Sequence, residues 1–220
     1  MQTALQCAAL TLFMQIRFTM YGTETLFIQT RFTMCGTETL FTNPRYNAEG
    51  FPFEEDVMIE KGLYYATQDF AELIKSLGGE WNDPKHRPIV CLVKSTENDN
   101  LFWAIPMGNW KHRTPEQQTR LNYYLNLPSS DIRSCYYHLG RTTNQSIFFI
   151  SDAIPIIDKY IDGEHVGADR KHFVIKNQNL ITELERKLFR ILAMENANKN
   201  HFRQHITDVK NQLLSELENN

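Results

Sequence analysis

The sequence predicts an α+β fold: a small antiparallel β-barrel or curled sheet, flanking helices and a C-terminal helical pair. Three observations carry this. Short runs rich in β-branched and aromatic residues recur between turn residues, among them IVCLVK at Ile89–Lys94 and SIFFI at Ser146–Ile150. No strand-like run alternates with a long helical pattern, so the βαβ rhythm of a parallel sheet is absent. The C-terminal part carries two apolar stripes at helical spacing.

Each element follows from local pattern. Gly62–Ala66 (GLYYA) reads as a short strand, with Tyr64 and Tyr65 divided between core and surface. Over Gln68–Leu77, Phe70, Leu73, Ile74 and Leu77 share one helical face, and Gly78–Gly79 ends the helix. Glu80–Pro88 is a charged loop. Ile89–Lys94 is a buried strand, Ser95–Asn100 a polar turn, and Leu101–Met107 the hairpin partner. Pro106 has no N–H to give, which predicts an edge or a strand end. Thr114-Pro115-Glu116-Gln117 opens a mainly polar helix reaching about Leu125, with Thr114 as its cap. Ile132–Leu139 and Ser146–Ile150 are strand candidates around a Gly140–Asn144 turn. Ile154–Ile157 and Lys171–Lys176 (KHFVIK) are two more extended segments. In the first C-terminal helix, Leu180, Leu184, Leu188, Ile191 and Leu192 face inward, while Glu183, Glu185, Arg186 and Lys187 face water. The second aligns Phe202, Ile206, Val209, Leu213 and Leu217.

Composition excludes several functions. With 220 residues, 42 % hydrophobic and 22 % charged, the chain is a globular one. No apolar run approaches the length of a membrane span, and Met1–Leu12 lacks the basic start of a signal peptide. Cys7, Cys35, Cys91 and Cys135 form no CxxC pair, against a disulfide framework or structural zinc. The expected location is the cytoplasm. Residues 1–57 hold three Arg against five Glu and one Asp, whereas residues 58–220 balance 20 basic with 20 acidic groups. A neutral body lacks the basic surplus of a non-specific duplex-DNA coat.

Thr11–Glu24 (TLFMQIRFTMYGTE) and Thr25–Glu38 (TLFIQTRFTMCGTE) repeat with a period of 14 residues and three differences, and a third copy stops after Thr39-Leu40-Phe41. As protein, each copy is a short strand followed by a turn at Gly22 or Gly36. The period is below that of solenoid units. As nucleic acid, it is a 42-nucleotide tandem array kept in frame because 42 is a multiple of three. Residues 42–57 form a linker, and Met58 stands immediately before the first well-patterned segment. Two readings remain: an upstream RNA repeat translated through to a working protein that starts near Met58, or an N-terminal β extension.

No nucleotide, cofactor or metalloprotease signature is present. Asp158, Asp162 and Glu164 have the look of an ordinary surface loop, so neither a metal nor a cofactor is expected. Gly108-Asn109-Trp110-Lys111-His112-Arg113 places a cation, an imidazole, a guanidinium and a stacking ring on one loop. Metal-free RNA cleavage needs such a set: a base for the 2′-OH proton, a donor for the phosphate oxygens, and an acid for the leaving oxygen. Trp110 can stack an unpaired base. An ordinary basic loop with Trp110 packed on the core is the competing reading. In the second polar stretch, a strand over Ile132–Leu139 would set Tyr136 and His138 on one face and Cys135 and Tyr137 on the other. Arg141, Thr142 and Thr143 would then form a phosphate-binding turn. Arg87 adds charge before the buried strand, and Cys91 within that strand is core.

The order Arg87-Pro88, IVCLVK, a polar turn and LFWAIPMGNWK resembles the toxins of type III toxin–antitoxin systems, the ToxN/AbiQ/CptN group. The resemblance spans roughly residues 60–218 and is sharpest over about 25 of them. It implies a compact SH3-like, PemK-like antiparallel β-barrel with added helices. It also implies a metal-independent endoribonuclease that leaves a 2′,3′-cyclic phosphate and a 5′-hydroxyl. Such toxins are held inactive by a repeated small RNA antitoxin in a cyclic toxin–RNA assembly. Lys111 falls where the family lysine sits. Gly108 and Asn109 depart from the hydroxyl residues usual just before it: Asn109 can donate to a phosphate oxygen but cannot replace a hydroxyl that acts through its proton. In such systems the antitoxin RNA is encoded as tandem repeats just upstream of the toxin, the arrangement a translated 42-nucleotide array before Met58 would produce.

The leading expectation is an endoribonuclease toxin acting on single-stranded mRNA. Lys111 and Asn109 would stabilise phosphorane charge, and His112 or His138 would move protons. Arg87, Trp110, Arg113, Tyr136, Arg141 and Thr142 would hold RNA. The alternatives are a non-catalytic RNA-binding barrel, and a protein-docking module that uses the apolar helices from Leu180 to Leu217.

Overall fold

The computed structural model describes residues 17–21, 25–29, 58–81, 87–167 and 170–219. The chain divides into two compact units, Met1–Val57 and Met58–Asn220. In the first, β1 (Arg17–Tyr21) and β2 (Thr25–Gln29) pair antiparallel, with Arg17 opposite Gln29 and Tyr21 opposite Thr25. β1 comes from the second half of one repeat copy and β2 from the first half of the next. The turns expected at Gly22 and Gly36 and the linker 42–57 lie outside the described residues.

The second unit is α+β. Its antiparallel sheet holds β3 (Gly62–Ala66), β4 (Ile89–Lys94), β5 (Phe102–Asn109), β6 (Tyr137–Arg141), β7 (Gln145–Phe149), β8 (Ile154–Ile156) and β9 (Ile161–Glu164). The order is β6-β7-β5-β4-β3-β9, with β8 beside β5. The path is open, with β6 and β9 at its ends. No sequence pattern announced β9: Asp162 and Glu164 alternate with half-buried Ile161 and Gly163 against β3, where the expectation was a surface loop. Conversely, Lys171–Lys176 forms no strand. It contributes only single bridges, His172 to Val166 and Val174 to Gly62.

β5 is the hub, and its length follows from its double pairing. Phe102, Trp103 and Ala104 lie opposite Ile156, Pro155 and Ile154 of β8, while Met107, Gly108 and Asn109 lie opposite Phe148, Ile147 and Ser146 of β7. Pro106 is therefore in mid-strand, not at the expected edge or end. The Met107 N–H turns toward β4 and donates to the Pro88 carbonyl at 3.0 Å. Alternation then aims the Pro106 nitrogen at the gap between β8 and β7, where no ladder bond is lost.

Cross-strand partners share a face, which divides the apolar residues into two cores. On one face Val90, Leu92, Ile105, Met107 and Phe148 pack with Leu180, Leu184, Leu188 and Ile191 of α3 (Gln178–Ala197). On the other, Ile89, Cys91, Phe102, Ala104, Ile154 and Ile156 pack with Phe70 and Ile74 of α1 (Gln68–Ser76). Val209 and Leu213 of the last helix join that core. Two helices begin where local chemistry says they should. Thr67 Oγ1 accepts from the Phe70 N–H, and the Thr114–Gln117 capping box opens α2 (Pro115–Leu125). The last helix, α4 (Ile206–Glu218), follows His205 in the left-handed region at φ 52°. Phe202 is buried, but in the turn before α4 rather than on it.

Lys187 corrects the predicted wet face of α3. It is 8 % exposed, and its ammonium donates to the Ser134 and Tyr137 carbonyls at 2.9 and 2.8 Å. A buried ammonium is tolerated only when its protons are accepted, and here it ties α3 to the entrance of β6. No helix of the described residues is long and apolar enough to cross a membrane.

Candidate functional site

The polar segment after β5 is a capped turn rather than an open loop. Gly108 and Asn109 belong to β5, Trp110–His112 is one 3-10 turn, and Arg113 ends it. Asn109 Oδ1 accepts from the Lys111 N–H at 2.9 Å, leaving its amide nitrogen to donate outward. The Arg113 N–H closes the turn on the Trp110 carbonyl at 3.1 Å, and Gln118 of α2 donates to the Arg113 carbonyl at 3.2 Å. Lys111 and His112 are thus exposed on a braced backbone, with Trp110 half-buried beside them. The register also joins the two polar stretches. Asn109 and Gly140 both lie opposite Ser146, so Asn109, Ser146 and Gly140 form one row across three strands. Two strand spacings, about 10 Å, separate its ends. The Lys111 turn and Arg141 emerge from the same end of the ribbon.

Beneath the turn lies a cluster that links four strands. Arg113 folds back over Gly108, where an added Cβ would meet its Nη2 at 2.5 Å. The Arg113 guanidinium carbon is 5.0 Å from the Phe149 ring centroid, and that of Arg87 is 5.8 Å from the same ring. Burial, then the charge of Arg87, hold the Arg113 pKa below its ordinary value. Its Nε is buried and has no hydrogen-bond partner among the described residues. Tyr137 meets Phe149 edge-on at 5.9 Å, and burial raises its phenol. Asp152, just beyond β7, pairs with Arg203 at 2.8 Å. Burial raises its carboxyl against the opposing pull of Arg203 and Arg87.

The predicted residues separate into two groups. Arg87, Asn109, Trp110, Lys111, His112 and Arg113 come together at the end of β5, with Arg141 at the same end of the ribbon. His138 does not join them. It lies opposite Phe148 on the α3 face, whereas Gly108 and Phe149 belong to the other face. Burial first, then Lys187, lowers its pKa from 6.5 to about 4. The expected strand over 132–139 also fails at its start. Ile132–Cys135 is a 3-10 turn, and Tyr136 caps it in helical geometry at φ −62° and ψ −30°. Tyr136 and His138 therefore share no strand face. Tyr136 instead stacks on Tyr124 at 6.1 Å and 28°, with Phe202 edge-on behind it. Arg141 is the exposed last residue of β6, so the turn begins at Thr142 rather than Gly140. Thr142 is committed to that turn: its N–H donates to the Asn144 carbonyl, and its hydroxyl meets that of Ser146 at 3.0 Å.

Sequence reasoning missed Phe149, Tyr137, Asp152 and Arg203. Phe149 had a signal, being the second aromatic of SIFFI and therefore on the face opposite Phe148. Arg203 had none, because it reaches Asp152 from a turn between helices some fifty residues away.

His138 makes an acid-sensitivity prediction. Its native pKa lies below its unfolded one, so the unfolded chain takes up the proton first as pH falls. The neutral native state is unpenalised above about pH 6.5 and loses stability progressively from there toward pH 4, by about 2 kcal/mol. The urea midpoint of the protein is expected to fall between pH 7.5 and 4.5 by more than that of His138→Phe. Equal falls would refute the assignment.

No protein-family model matches this chain, and no curated protein sequence matches it either.

Proposed function

We propose that the protein is a metal-independent endoribonuclease toxin of the cytoplasm that cleaves single-stranded mRNA. The observation that carries this is Lys111 and His112, exposed on a braced turn that ends in Arg113, whose half-buried guanidinium has no carboxylate partner among the described residues. Such cations beside the half-buried Trp110 suit a flexible, negatively charged, base-bearing chain. In the reaction, the ribose 2′-oxygen bonds to the adjacent phosphorus as a base removes its proton. The 5′-oxygen leaves with a proton from an acid, giving a 2′,3′-cyclic phosphate and a 5′-hydroxyl. Lys111 stabilises the charge that develops on the phosphorane oxygens, and the Asn109 amide nitrogen donates beside it. His112 moves the protons, since His138 packs toward α3 on the face opposite Gly108 and Phe149. Arg87, Arg113 and Arg141 hold neighbouring phosphates, and Trp110 stacks a base. On this reading the open sheet is a curled relative of the SH3-like, PemK-like barrel. The inhibitor is a small repeated RNA transcribed from the array that residues 11–41 encode, bound in a cyclic toxin–RNA assembly.

A second reading, a non-catalytic RNA-binding module, is favoured by one observation: neither Gly108 nor Asn109 offers a hydroxyl beside Lys111. One assay separates the two. The purified protein is incubated with single-stranded RNA in excess EDTA. Cleavage with cyclic-phosphate ends is expected. Retention of intact RNA would support the second reading, and neither binding nor cleavage would remove both.

A further inference from the structure

We propose that Gly108 and Arg113, with Arg87 beside them, form a seat for a single phosphate group. The inference rests on the RNA reading only for the source of that phosphate, a backbone phosphate of the bound strand. The seat itself stands on geometry.

Arg113 is positioned as few surface arginines are. Its guanidinium is half-buried, lies 5.0 Å from the Phe149 ring centroid, and keeps Nε out of water with nothing to accept its proton among the described residues. A buried donor without an acceptor forfeits the hydrogen bond it would make in water. A second guanidinium on the same ring adds repulsion. The face of Phe149 offsets part of this through its quadrupole but accepts no in-plane hydrogen bond. Asp152, the carboxylate of this cluster, is already engaged by Arg203 at 2.8 Å. An anion that takes the in-plane protons of Arg113 would satisfy the orphan donor and offset its repulsion by Arg87. Tetrahedral phosphate oxygens match the planar fork of arginine.

Gly108 makes the seat. Any Cβ there would lie 2.5 Å from Arg113 Nη2 and 3.6 Å from Phe149. Only glycine lets the guanidinium lie down over the strand, so the residue that lacks a hydroxyl serves to admit a charge. The braced backbone completes the arrangement, because Gln118 fixes the Arg113 carbonyl and Pro88 fixes β4 against Met107.

The test is NMR of the arginine Nε–Hε groups in the full chain, titrated with inorganic phosphate against sodium chloride of equal ionic strength. Arg186, an exposed arginine paired with Glu183 on α3, reports general anion effects. The expected result is a saturable shift of Arg113 in phosphate, with Arg186 unmoved. Gly108→Ala, read at Arg113, and Arg113→Lys, read at the Arg87 Nε–Hε signal beside the same ring, should each weaken binding about tenfold or more. Arg113→Lys asks no extra space, so it decides the matter if Gly108→Ala does not fold. An Arg113 signal that stays still, or that drifts linearly together with Arg186, overturns the seat. RNA cleavage is followed on the same samples. Cleavage without a phosphate shift removes the seat and keeps the ribonuclease. A saturable shift without cleavage keeps the seat and favours the binding module.

Discussion

Lys111→Ala is expected to abolish growth arrest when the protein is expressed, and to slow RNA cleavage in vitro on the order of 100- to 1,000-fold. That is the usual cost of removing one donor from a site where negative charge develops. The fold should be untouched. Lys111 is exposed, and only its backbone N–H takes part in the turn, donating to Asn109 Oδ1. Surface substitutions of this kind change stability by about 0.5 kcal/mol or less. The urea midpoint should therefore match that of the parent protein while toxicity disappears. A Lys111→Ala protein that remained fully toxic would show that the chemistry lies elsewhere, with Asp152 and Tyr137 beside Phe149 as the next groups to replace.

Untranslated repeat RNA should relieve the arrest caused by residues 58–220. The piece is suited to the test, because Met58 begins a compact unit that contains both apolar cores, and its own side chain is 3 % exposed. Expressed alone from a tight promoter, it should stop growth. Transcribing the repeat region in the same cells, without translating it, should restore growth. Relief would make the 14-residue period the protein-level trace of an RNA array. Arrest without relief would leave a toxin whose inhibitor lies elsewhere, and the paired strands β1 and β2 would then need a role as protein. Soluble protein with no arrest in either case would favour the RNA-binding reading.

These two experiments depend on features that differ in how far the sequence displays them. The Lys111 segment and the repeat are contiguous, and contiguous chemistry is legible. The Thr114–Gln117 capping box formed as spaced, because an N-cap satisfies N–H groups only two or three residues away. The buried run of β4 and the stripe from Leu180 to Ile191 behaved likewise, since burial on one element needs only its own periodicity.

The failures share a cause of the opposite kind. Tyr136 looked like strand until the Lys187 ammonium, fifty-odd residues away, took the Ser134 and Tyr137 carbonyls. Pro106 looked like an edge until two partner strands left a gap at that point of β5. His138 lies only a few residues from Arg141 and Thr142, yet strand pairing turns it toward α3.

The sequence by itself determined the α+β class, most strands and helices and the capping box that opens α2. Those depend on periodicity and on hydrogen bonds between near neighbours. Only the tertiary structure decided which faces those residues share, that Arg113 is half-buried without a carboxylate partner among the described residues, and that Gly108 is the space it occupies. Such facts depend on Phe149 of β7, Arg87 from before β4 and Asp152 from the turn after β7 arriving near the end of β5. Whether a charge is solvated, paired or stranded is a property of the space around it, and that space exists only once the sheet has formed.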